Sequence, residues 1–475
     1  MDERKKIVLI YPPITKLERY SSKIGAAGGE QIPLGIFYVA AYLRNHGWNA
    51  QVIDAETEKL AAEQIVSRIR DFGARWIGIS STTVAFHRAI ELATVIKKET
   101  PCSTVLLGGP HVTSNVNQAM SYEVFDYGIL REGEITALEL LDALIDGLPP
   151  DNIKGIAYRD SERKLVVTSN REYIADLDSL PFPAYDLIPD ITSYAPPPSN
   201  YKTTPVINMI TTRGCPHQCT FCDNNVFGRK YRERSAENIF MEIKFLQEKY
   251  GIREIAFVDD TLLISKQRIF KLFELLDVAN LQFSWTCASR INNVDYEFLR
   301  FIKCKGCWAI AFGIESGDQG ILKTIKKDIS LDRAHDVIHW CRTLGIKTKG
   351  FFIIGHPTES IETINKTIAL ACELELDDVL VTFNTPIPGS RQYAEVHKYG
   401  TLYKTDWSQF NYWHPVFVPF GLTQDILFQK HREFYRRFYL RPRTVWRYFL
   451  SFLSKGGFRR LLAILKASRY IIFKE

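Results

Sequence analysis

Three cysteines lie within eight residues, in the segment CPHQCTFC, at positions Cys215, Cys219 and Cys222. Thiolates are soft ligands that bind zinc or iron–sulfur clusters. A structural zinc site takes four ligands, usually from two separated pairs, and no second pair stands near this segment. Three thiolates leave one iron of a [4Fe–4S] cubane open to a substrate. The spacing therefore predicts an iron–sulfur centre with an open position rather than three unrelated buried thiols.

The second half of the chain alternates between strand and helix patterns, and the cysteine segment follows its first strand. Six such βα units favour a partial or full βα barrel over an open sheet. We predict strands at 205–211, 254–258, 282–287, 308–313, 348–354 and 379–384, with helices at 235–250, 266–278, 295–305, 331–344 and 359–374.

The first half shows the same alternation, which predicts a doubly wound parallel sheet with helices on both faces. After it comes a proline-rich stretch with two short strand-like runs, which we interpret as an ordered connector. The end of the chain is helical, aromatic and basic. We therefore divide the chain into a Rossmann-like domain (1–147), a connector (148–200), a partial (βα)6 barrel (201–395) and a helical, basic C-terminal region (396–475).

The CxxxCxxC spacing, with Phe221 just before the last cysteine, resembles the signature of the radical S-adenosylmethionine (SAM) superfamily. The resemblance implies that Cys215, Cys219 and Cys222 hold a [4Fe–4S] cluster whose open iron chelates the amino and carboxylate groups of SAM. An electron from an external donor of the flavodoxin or ferredoxin type then breaks a C–S bond. Methionine and a 5′-deoxyadenosyl radical result, and the radical removes a hydrogen atom from an unactivated carbon.

Motifs in the barrel half resemble the same family and imply a SAM site at the C-terminal ends of the strands. A PxPG turn at 386–389 resembles the family's last strand. The SAM contacts implied by the resemblance are Phe221, Asp259, Asp260, Arg290, Glu315, Ser316 and Gly355. For Asp260 an equal alternative is a cap on the following helix.

Small and polar residues follow several strands of the first domain, at the edge where open α/β sheets bind ligands. No GxGxxG fingerprint occurs, which argues against a dinucleotide. Residues 5–147 resemble the cobalamin-binding domain that precedes some radical SAM barrels. The resemblance implies cobalamin contacts at Ser80, Ser81, Thr82, Gly108, Gly109 and His111.

The DxHxxG motif that supplies an axial histidine in other cobalamin enzymes is absent. We therefore expect cobalamin to bind without a histidine ligand, and His111 to pack or hydrogen-bond within its loop. A domain that has lost cobalamin binding stays an alternative.

The nine cysteines are odd in number and thinly spread, which favours reduced thiols over a disulfide framework. Cys304 and Cys307 form a CxxC, but with no second pair nearby we interpret them as structural. The charged start of the chain does not resemble a signal peptide, and no apolar stretch reaches the ~18–20 residues of a membrane span. We expect a cytoplasmic protein.

Charge is distributed unevenly along the chain. Its net charge is +6, and residues 430–475 alone carry +11, which leaves −5 for the remainder. Interleaved with aromatic residues, this basic tail predicts either helices packed on the barrel or peripheral contact with the inner face of a membrane. The membrane alternative would favour a lipid-like substrate over another small molecule. Nucleic acid is not expected, since no binding motif accompanies the charge.

Together these features predict a cobalamin-dependent radical SAM enzyme, and methylation of an unactivated carbon is the reaction we favour. One alternative is oxidative cyclisation or rearrangement, as in the anaerobic magnesium-protoporphyrin ester cyclase family. A non-catalytic cobalamin or iron–sulfur sensor is an alternative of another class. The ordered strand-end motifs argue against it, because a sensor needs no SAM pocket.

Overall fold

The computed structural model describes residues 2–24, 29–194, 196–197, 200–403, 406–442 and 444. The strands are β1 (Lys6–Tyr11), β2 (Asn49–Asp54), β3 (Trp76–Ser80), β4 (Thr104–Gly108), β5 (Tyr127–Ile129), β6 (Ile156–Arg159), β7 (Leu165–Val167), β8 (Val206–Met209), β9 (Thr212–Arg213), β10 (Arg232–Glu233), β11 (Glu254–Phe257), β12 (Ser284–Ser289), β13 (Cys307–Glu315), β14 (Lys347–Ile354), β15 (Asp378–Phe383), β16 (Gly400–Leu402) and β17 (Phe417–Pro419).

The α-helices between these strands are α1 (Lys16–Ile24), α2 (Leu34–Asn45), α3 (Ala62–Phe72), α4 (Phe86–Glu99), α5 (Pro110–Ser114), α6 (Val116–Ala119), α7 (Gly133–Ile145), α8 (Ala236–Tyr250), α9 (Lys266–Val278), α10 (Tyr296–Cys304), α11 (Gln319–Thr324), α12 (Leu331–Thr343), α13 (Ile361–Glu373), α14 (Arg391–Ala394) and α15 (Gln424–Tyr439).

The first sheet has the strand order β2-β1-β3-β4-β5-β6-β7 and is parallel from β2 through β5. Its strands are nearly continuous apolar runs because both faces are covered. Helices α3 and α4 pack in the core on one face, whereas α2 and α7 lie on the other and share a core with the barrel. The predicted doubly wound fold is confirmed.

The two strand-like runs placed in the connector form a hairpin of this sheet. Strand β6 pairs antiparallel with β5, and β7 pairs antiparallel with β6. The hairpin covers the edge of β5, which would otherwise present unpaired backbone groups. The predicted domain limits stay predictions, but residues 156–167 belong structurally to the first sheet.

The second sheet is parallel throughout, with the order β15-β14-β13-β12-β11-β8. This order confirms the predicted partial (βα)6 barrel. Polar caps begin several of its helices: the side chains of Ser235, Asp295, Ser330 and Ser360 each accept a hydrogen bond from a backbone N–H in the first turn. Each cap fixes the residue at which the loop after a strand ends and the next helix begins. The caps therefore help to position these loops at the barrel mouth.

A buried ionic network joins the first domain to the barrel. Arg213 in β9 donates to Glu132 at 3.0 Å and to Glu134 at 2.6 Å. Arg232 in β10 donates to both carboxylate oxygens of Glu132 and to the carbonyl of Ile174. All four charged side chains are buried. Because each of these buried charges has an oppositely charged partner across the junction, the network fixes the hairpin β9–β10 against the first domain.

The C-terminal region folds back over both domains. Trp407 packs against the first domain, 5.3 Å from the ring of His111. Helix α15 covers the barrel beside β15, with Leu427, Phe434 and Phe438 fully buried. The start of the basic tail is therefore a packed helix, as one of the two predictions for it stated.

The remainder of the tail, residues 445–475, which the membrane prediction concerns, lies outside the described residues. In the part of the chain that is described, no helix has the length and apolarity needed to cross a membrane.

Candidate active site

The cysteine loop leaves the barrel through the two-stranded hairpin β9–β10, which brings its two ends together. Gly214, just before Cys215, has φ +87°, and a Cβ there would lie 2.3 Å from the carbonyl oxygen of Lys230. No side chain fits in that space, so glycine is required where the chain turns into the loop.

Backbone hydrogen bonds hold the loop at its centre. Thr220, between the second and third cysteines, donates its N–H to the carbonyl of Ile325 and accepts from the N–H of Gln392, both at 2.9 Å. Cys222 N–H donates to the carbonyl of Cys219 at 3.3 Å. The loop is thus fixed between the segment after α11 and helix α14.

Arg290, at the end of β12, lies beside the cysteines. Its Nη1 donates to the Sγ of Cys219 at 3.3 Å, and its Nη2 donates to the carbonyl of Asp328 at 3.4 Å. Both Arg290 and Cys219 are buried. The guanidinium of Arg290 thus makes a buried contact with the sulfur of a predicted cluster ligand.

The donor set fits an iron–sulfur cluster. All three cysteines are free thiols on one fixed loop. Among the described side chains, no three His, Cys, Asp or Glu gather closely enough for a single metal ion. A cubane has no such requirement, because each thiolate binds a different iron.

The two adjacent aspartates after β11, Asp259 and Asp260, lie in different environments. Asp259 is buried, and its Oδ1 accepts hydrogen bonds from Thr211 N–H at 2.7 Å and from the hydroxyls of Thr211 and Thr212 at 2.9 and 2.7 Å. It therefore braces the start of the cysteine loop. Asp260 is exposed at the strand end. The alternative that Asp260 caps the following helix is wrong, because Thr261 is the N-cap of the short 3-10 turn Leu262–Ile264 and α9 begins after Ser265.

Glu315 ends β13 next to a register shift in its pairing with β14 and has φ +68°. Its Oε1 accepts from Lys327 Nζ at 2.8 Å, and both side chains are buried. Ser316 is fully buried, with its hydroxyl 3.2 Å from the hydroxyl of Thr367. Glu315 thus belongs to a buried ion pair, while Ser316 anchors the turn against α13.

The turn after β14 is held by a residue that the sequence motifs did not single out, Glu359. Gly355 has φ +87°, and its N–H and that of His356 both donate to one oxygen of Glu359. Burial raises the pKa of Glu359 to about 8. An acid four residues after a turn glycine is the only sequence signal that could have identified this brace.

His356 and Phe221 face each other beside this turn, with ring centroids 5.9 Å apart. His356 is fully buried, neither ring nitrogen has a hydrogen-bond partner among the described residues, and burial lowers its pKa to about 3. The structure thus brings Phe221 from the cysteine loop to the turn at Gly355.

The loops after β3 and β4 meet at the edge of the first sheet. Ser81 N–H donates to the carbonyl of Gly108, and His111 N–H donates to the carbonyl of Ser81. Gly109 has φ +94°, and a Cβ there would lie 2.8 Å from backbone atoms of Ser81 and 2.9 Å from the hydroxyl of Ser80. A Cβ at Gly108 would meet nothing within 4 Å. The backbones of the two loops thus pack closely and form one edge, with open space at Gly108. This space fits the close approach of a large ligand. Half-buried Thr82 continues the same edge.

His111 lies beneath that edge. It is fully buried, with Nε2 2.9 Å from the amide oxygen of Gln118 and Nδ1 3.2 Å from the hydroxyl of Thr83. Its ring packs on Phe86 at 4.0 Å, and burial lowers its pKa to about 4. With both nitrogens engaged, His111 has the packing and hydrogen-bonding environment expected for it and no nitrogen free to ligate a metal.

The two halves of the site meet directly. Ser114, at the end of α5, donates to the carboxylate of Asp223, the residue after Cys222. A Cβ at Gly389, in the PxPG turn, would lie 2.8 Å from Ser114 and 2.5 Å from Asn225. The cysteine loop, the first domain and the last barrel strand therefore converge at one place.

Comparisons with known proteins account for both halves. A family model described as the radical SAM superfamily matches residues 209–371, and one described as a B12 binding domain matches residues 23–141. An uncharacterized methyltransferase of Pyrococcus horikoshii, PH0819, is 32% identical over 467 residues, which cover 97% of this chain and 98% of the relative. The chain belongs to the cobalamin-dependent radical SAM family.

Two further matches agree with this membership. The anaerobic magnesium-protoporphyrin IX monomethyl ester cyclase of Cereibacter sphaeroides is 27% identical over 480 residues, covering 97% of this chain and 74% of the cyclase. The solved structure of the cobalamin-dependent SAM radical enzyme OxsB, with aqua-cobalamin and SAM bound, has a TM-score of 0.76 at 16% identity and covers 98% of this chain and 71% of OxsB. That likeness concerns the fold.

Membership confirms the resemblance seen in the sequence. The protein is a radical SAM enzyme of the methyltransferase class, and its cofactors are those of the family: a [4Fe–4S] cluster, SAM and cobalamin. The roles of the individual site residues stay predictions.

The CxxC pair does not form one site. Cys304 is exposed at the end of α10, whereas Cys307 is buried at the start of β13. Burial and the neighbouring Cys287 and Cys341 raise the pKa of Cys307 well above its usual value. The pair has the structural character that the sequence predicted.

Proposed function

We propose that the enzyme methylates an unactivated carbon of a small-molecule substrate bound where the first domain meets the cysteine loop. The hydrogen bond between Ser114 and Asp223 carries this proposal. It fastens the predicted corrinoid edge to the loop that would hold the cluster, so a substrate between them would be within reach of both cofactors. Methyl transfer to a substrate radical needs that proximity.

The chain's own residues prepare this chemistry. When bound, the cluster supplies the electron that cleaves SAM, and cobalamin supplies the methyl group. Cys215, Cys219 and Cys222 hold the cluster, and Arg290 stabilises it through its contact with the Cys219 sulfur. To Asp260 we assign the SAM ammonium, and its exposure at the strand end supports this assignment.

At the other side of the mouth, polar residues frame the remainder of SAM. The buried pair of Glu315 and Lys327 presents a fixed polar wall after β13. Gly355, whose turn is held by Glu359, lets the backbone after β14 approach the adenine. Phe221 closes the space between this turn and the cysteine loop.

The first domain binds the corrinoid through its backbone edge. Gly109 allows the loops after β3 and β4 to lie in contact, and Gly108 leaves room for the ligand. Ser80, Ser81 and Thr82 line the same edge. His111 supports the loop from beneath without ligating cobalt.

Anaerobic reconstitution with iron, sulfide and hydroxocobalamin tests the proposal. A methyltransferase of this kind should convert SAM into both 5′-deoxyadenosine and S-adenosylhomocysteine, and Cys219→Ala should abolish the first product. A cyclase of the kind named among the relatives should give 5′-deoxyadenosine alone. Absence of 5′-deoxyadenosine from the reduced wild type would leave the sensor alternative, and loss of the corrinoid on gel filtration would remove cobalamin from the mechanism.

An external one-electron donor of the flavodoxin or ferredoxin type completes the proposed reaction, because the chain's own cofactors do not include a reductant. We also place the enzyme in the cytoplasm, with peripheral contact between residues 445–475 and anionic lipid. The clustered Lys, Arg and aromatic residues of that segment support the contact. Flotation with anionic liposomes should fall when the chain is truncated after Thr444, which leaves α15 intact.

A further inference from the structure

A groove of about 500 Å³ opens on the outer side of the cysteine loop. One wall is formed by Pro216, His217 and Gln218, which lie between the first two cysteines. The other wall is formed by residues 319–329, from α11 to the start of the following loop. Because Pro216, Gln218 and Lys323 are exposed, the groove borders the loop on a face that solvent reaches.

The groove is basic. Lys323 and Lys326 are exposed on its wall, and within the described part of the chain neither has a carboxylate within ion-pair distance. Arg229, also exposed, donates to the carbonyl of His217 at 3.2 Å. Asp328 is the acidic residue in the lining. Residues 1–429 carry a net charge of −5, so this cluster of cations stands out from a mildly acidic surface.

The groove is also coupled to the cluster ligands. Thr220 N–H donates to the carbonyl of Ile325, which joins the groove wall to the cysteine loop between Cys219 and Cys222. Arg290, which contacts the Cys219 sulfur, donates to the carbonyl of Asp328 in the same wall. A protein seated in the groove would touch the segment between two cluster ligands, and electron transfer is fastest over such short distances.

We propose that this groove is the docking surface for the external reductant, a small acidic protein that carries a flavin or an iron–sulfur cluster. The inference rests on the proposed radical SAM function. One electron leaves the reduced partner, which is oxidised, and enters the cluster held by Cys215, Cys219 and Cys222, which is reduced. Complementary charge steers the acidic partner to Lys323 and Lys326 and sets the association rate more than the affinity.

The experiment compares two reductants with the reconstituted holoenzyme. The variant Lys323→Glu/Lys326→Glu reverses both exposed charges and leaves the buried Lys327 and the cysteines unchanged. Formation of 5′-deoxyadenosine from SAM is measured with dithionite and with enzymatically reduced flavodoxin. A matched control, Lys98→Glu/Lys202→Glu, reverses two exposed lysines that do not line the groove, one near the end of α4 and one before β8.

With flavodoxin, the groove variant should be slower than wild type by at least about tenfold at low salt, and the difference should shrink as salt is raised. With dithionite, the groove variant, the control and the wild type should be equal. Equal flavodoxin-driven rates in all three proteins would overturn the docking surface. A raised KM for SAM or substrate with dithionite would assign the groove to an anionic small molecule and overturn it as well. Failure of the wild type to form 5′-deoxyadenosine with dithionite would instead contradict the proposed function itself.

Discussion

Arg290 Nη1 lies 3.3 Å from the Sγ of Cys219, and both residues are buried. The contact joins the end of β12 to the centre of the cysteine loop. The position of β12 therefore determines where the positive charge of Arg290 lies relative to a predicted cluster ligand. Groups that hydrogen-bond to metal ligands tune the metal site nearly as strongly as the ligands.

Substitution of Arg290 by Ala should therefore slow SAM cleavage by roughly 10–100-fold. Loss of a positive charge disfavours the reduced cluster, which carries one more negative charge, so its reduction potential should fall. Redox titration followed by electron paramagnetic resonance measures the potential, and Arg290→Lys should restore part of it. An unchanged potential in the Ala variant would show that the guanidinium acts only in packing.

Substitution of Cys219 by Ala should remove the cluster, with bound iron and the visible absorption of the reconstituted protein both lost. Cys304→Ala is the matched control, because Cys304 is exposed and belongs to the CxxC that we interpret as structural. Its iron content should equal that of the wild type. Iron loss in the Cys304 variant would assign that pair to a second metal site.

Substitution of Glu132 by Ala should lower the free energy of unfolding by about 3–5 kcal/mol, because it leaves Arg213 and Arg232 buried without their shared carboxylate. Denaturant unfolding measures the change. The half-exposed Glu139, which pairs with Arg171, provides the comparison, and its Ala variant should lose less than about 1 kcal/mol. Equal losses in both would mean that the junction is solvated.

The variants Gly109→Ala and Gly108→Ala should differ in stability and in corrinoid binding. An added Cβ at Gly109 would lie 2.8 Å from backbone atoms of Ser81 in a left-handed conformation, so we expect a loss of roughly 1–3 kcal/mol and of corrinoid binding. Gly108 has open space, and its Ala variant should keep the stability of the wild type. Thermal unfolding together with the visible spectrum after mixing with hydroxocobalamin checks both. A fully stable Gly109 variant would contradict the close packing of these loops.

Stability at acidic pH should depend on His431, which is fully buried with Nε2 3.0 Å from the carbonyl of Val381. Burial lowers its pKa to about 4 in the folded chain, from 6.5 when exposed. Between pH 4 and 6.5 the imidazole is protonated in the unfolded chain but neutral in the folded chain. The contribution of buried, neutral His431 to the free energy of unfolding is therefore complete above pH 6.5 and is lost as the pH falls towards 4. The free energy of unfolding of His431→Gln should fall less steeply over this range, by up to about 1.4 kcal/mol per pH unit. Parallel profiles for the two proteins would show that His431 does not titrate on unfolding.

Local patterns were sufficient to predict the parallel strands of both sheets and the cysteine loop. The six barrel strands stand within a few residues of their predicted positions, because hydrophobic runs and polar caps are short-range signals. The cysteine spacing is equally local, and it implied the cofactor before any contact was known.

Contacts between distant segments were not predictable in this way. Arg213 and Glu132 are 81 residues apart, and no periodicity marks either as a partner of the other. Asp259 and Asp260 are adjacent and chemically identical, yet only hydrogen bonds from Thr211 and Thr212 show that the first is a brace. The hairpin at 156–167 was missed because joining a sheet depends on which edge is left uncovered, a property of the folded chain.

The network of Glu132 and Glu134 with Arg213 and Arg232 has an evolutionary consequence. A chimera that combined this barrel with the corrinoid domain of a relative would bury two cations unless the donor also supplied their two acids. The domains of this enzyme are therefore not interchangeable modules: the acid pair and the arginine pair have to be inherited together, and a recombinant lacking one pair should misassemble before its chemistry can be assayed.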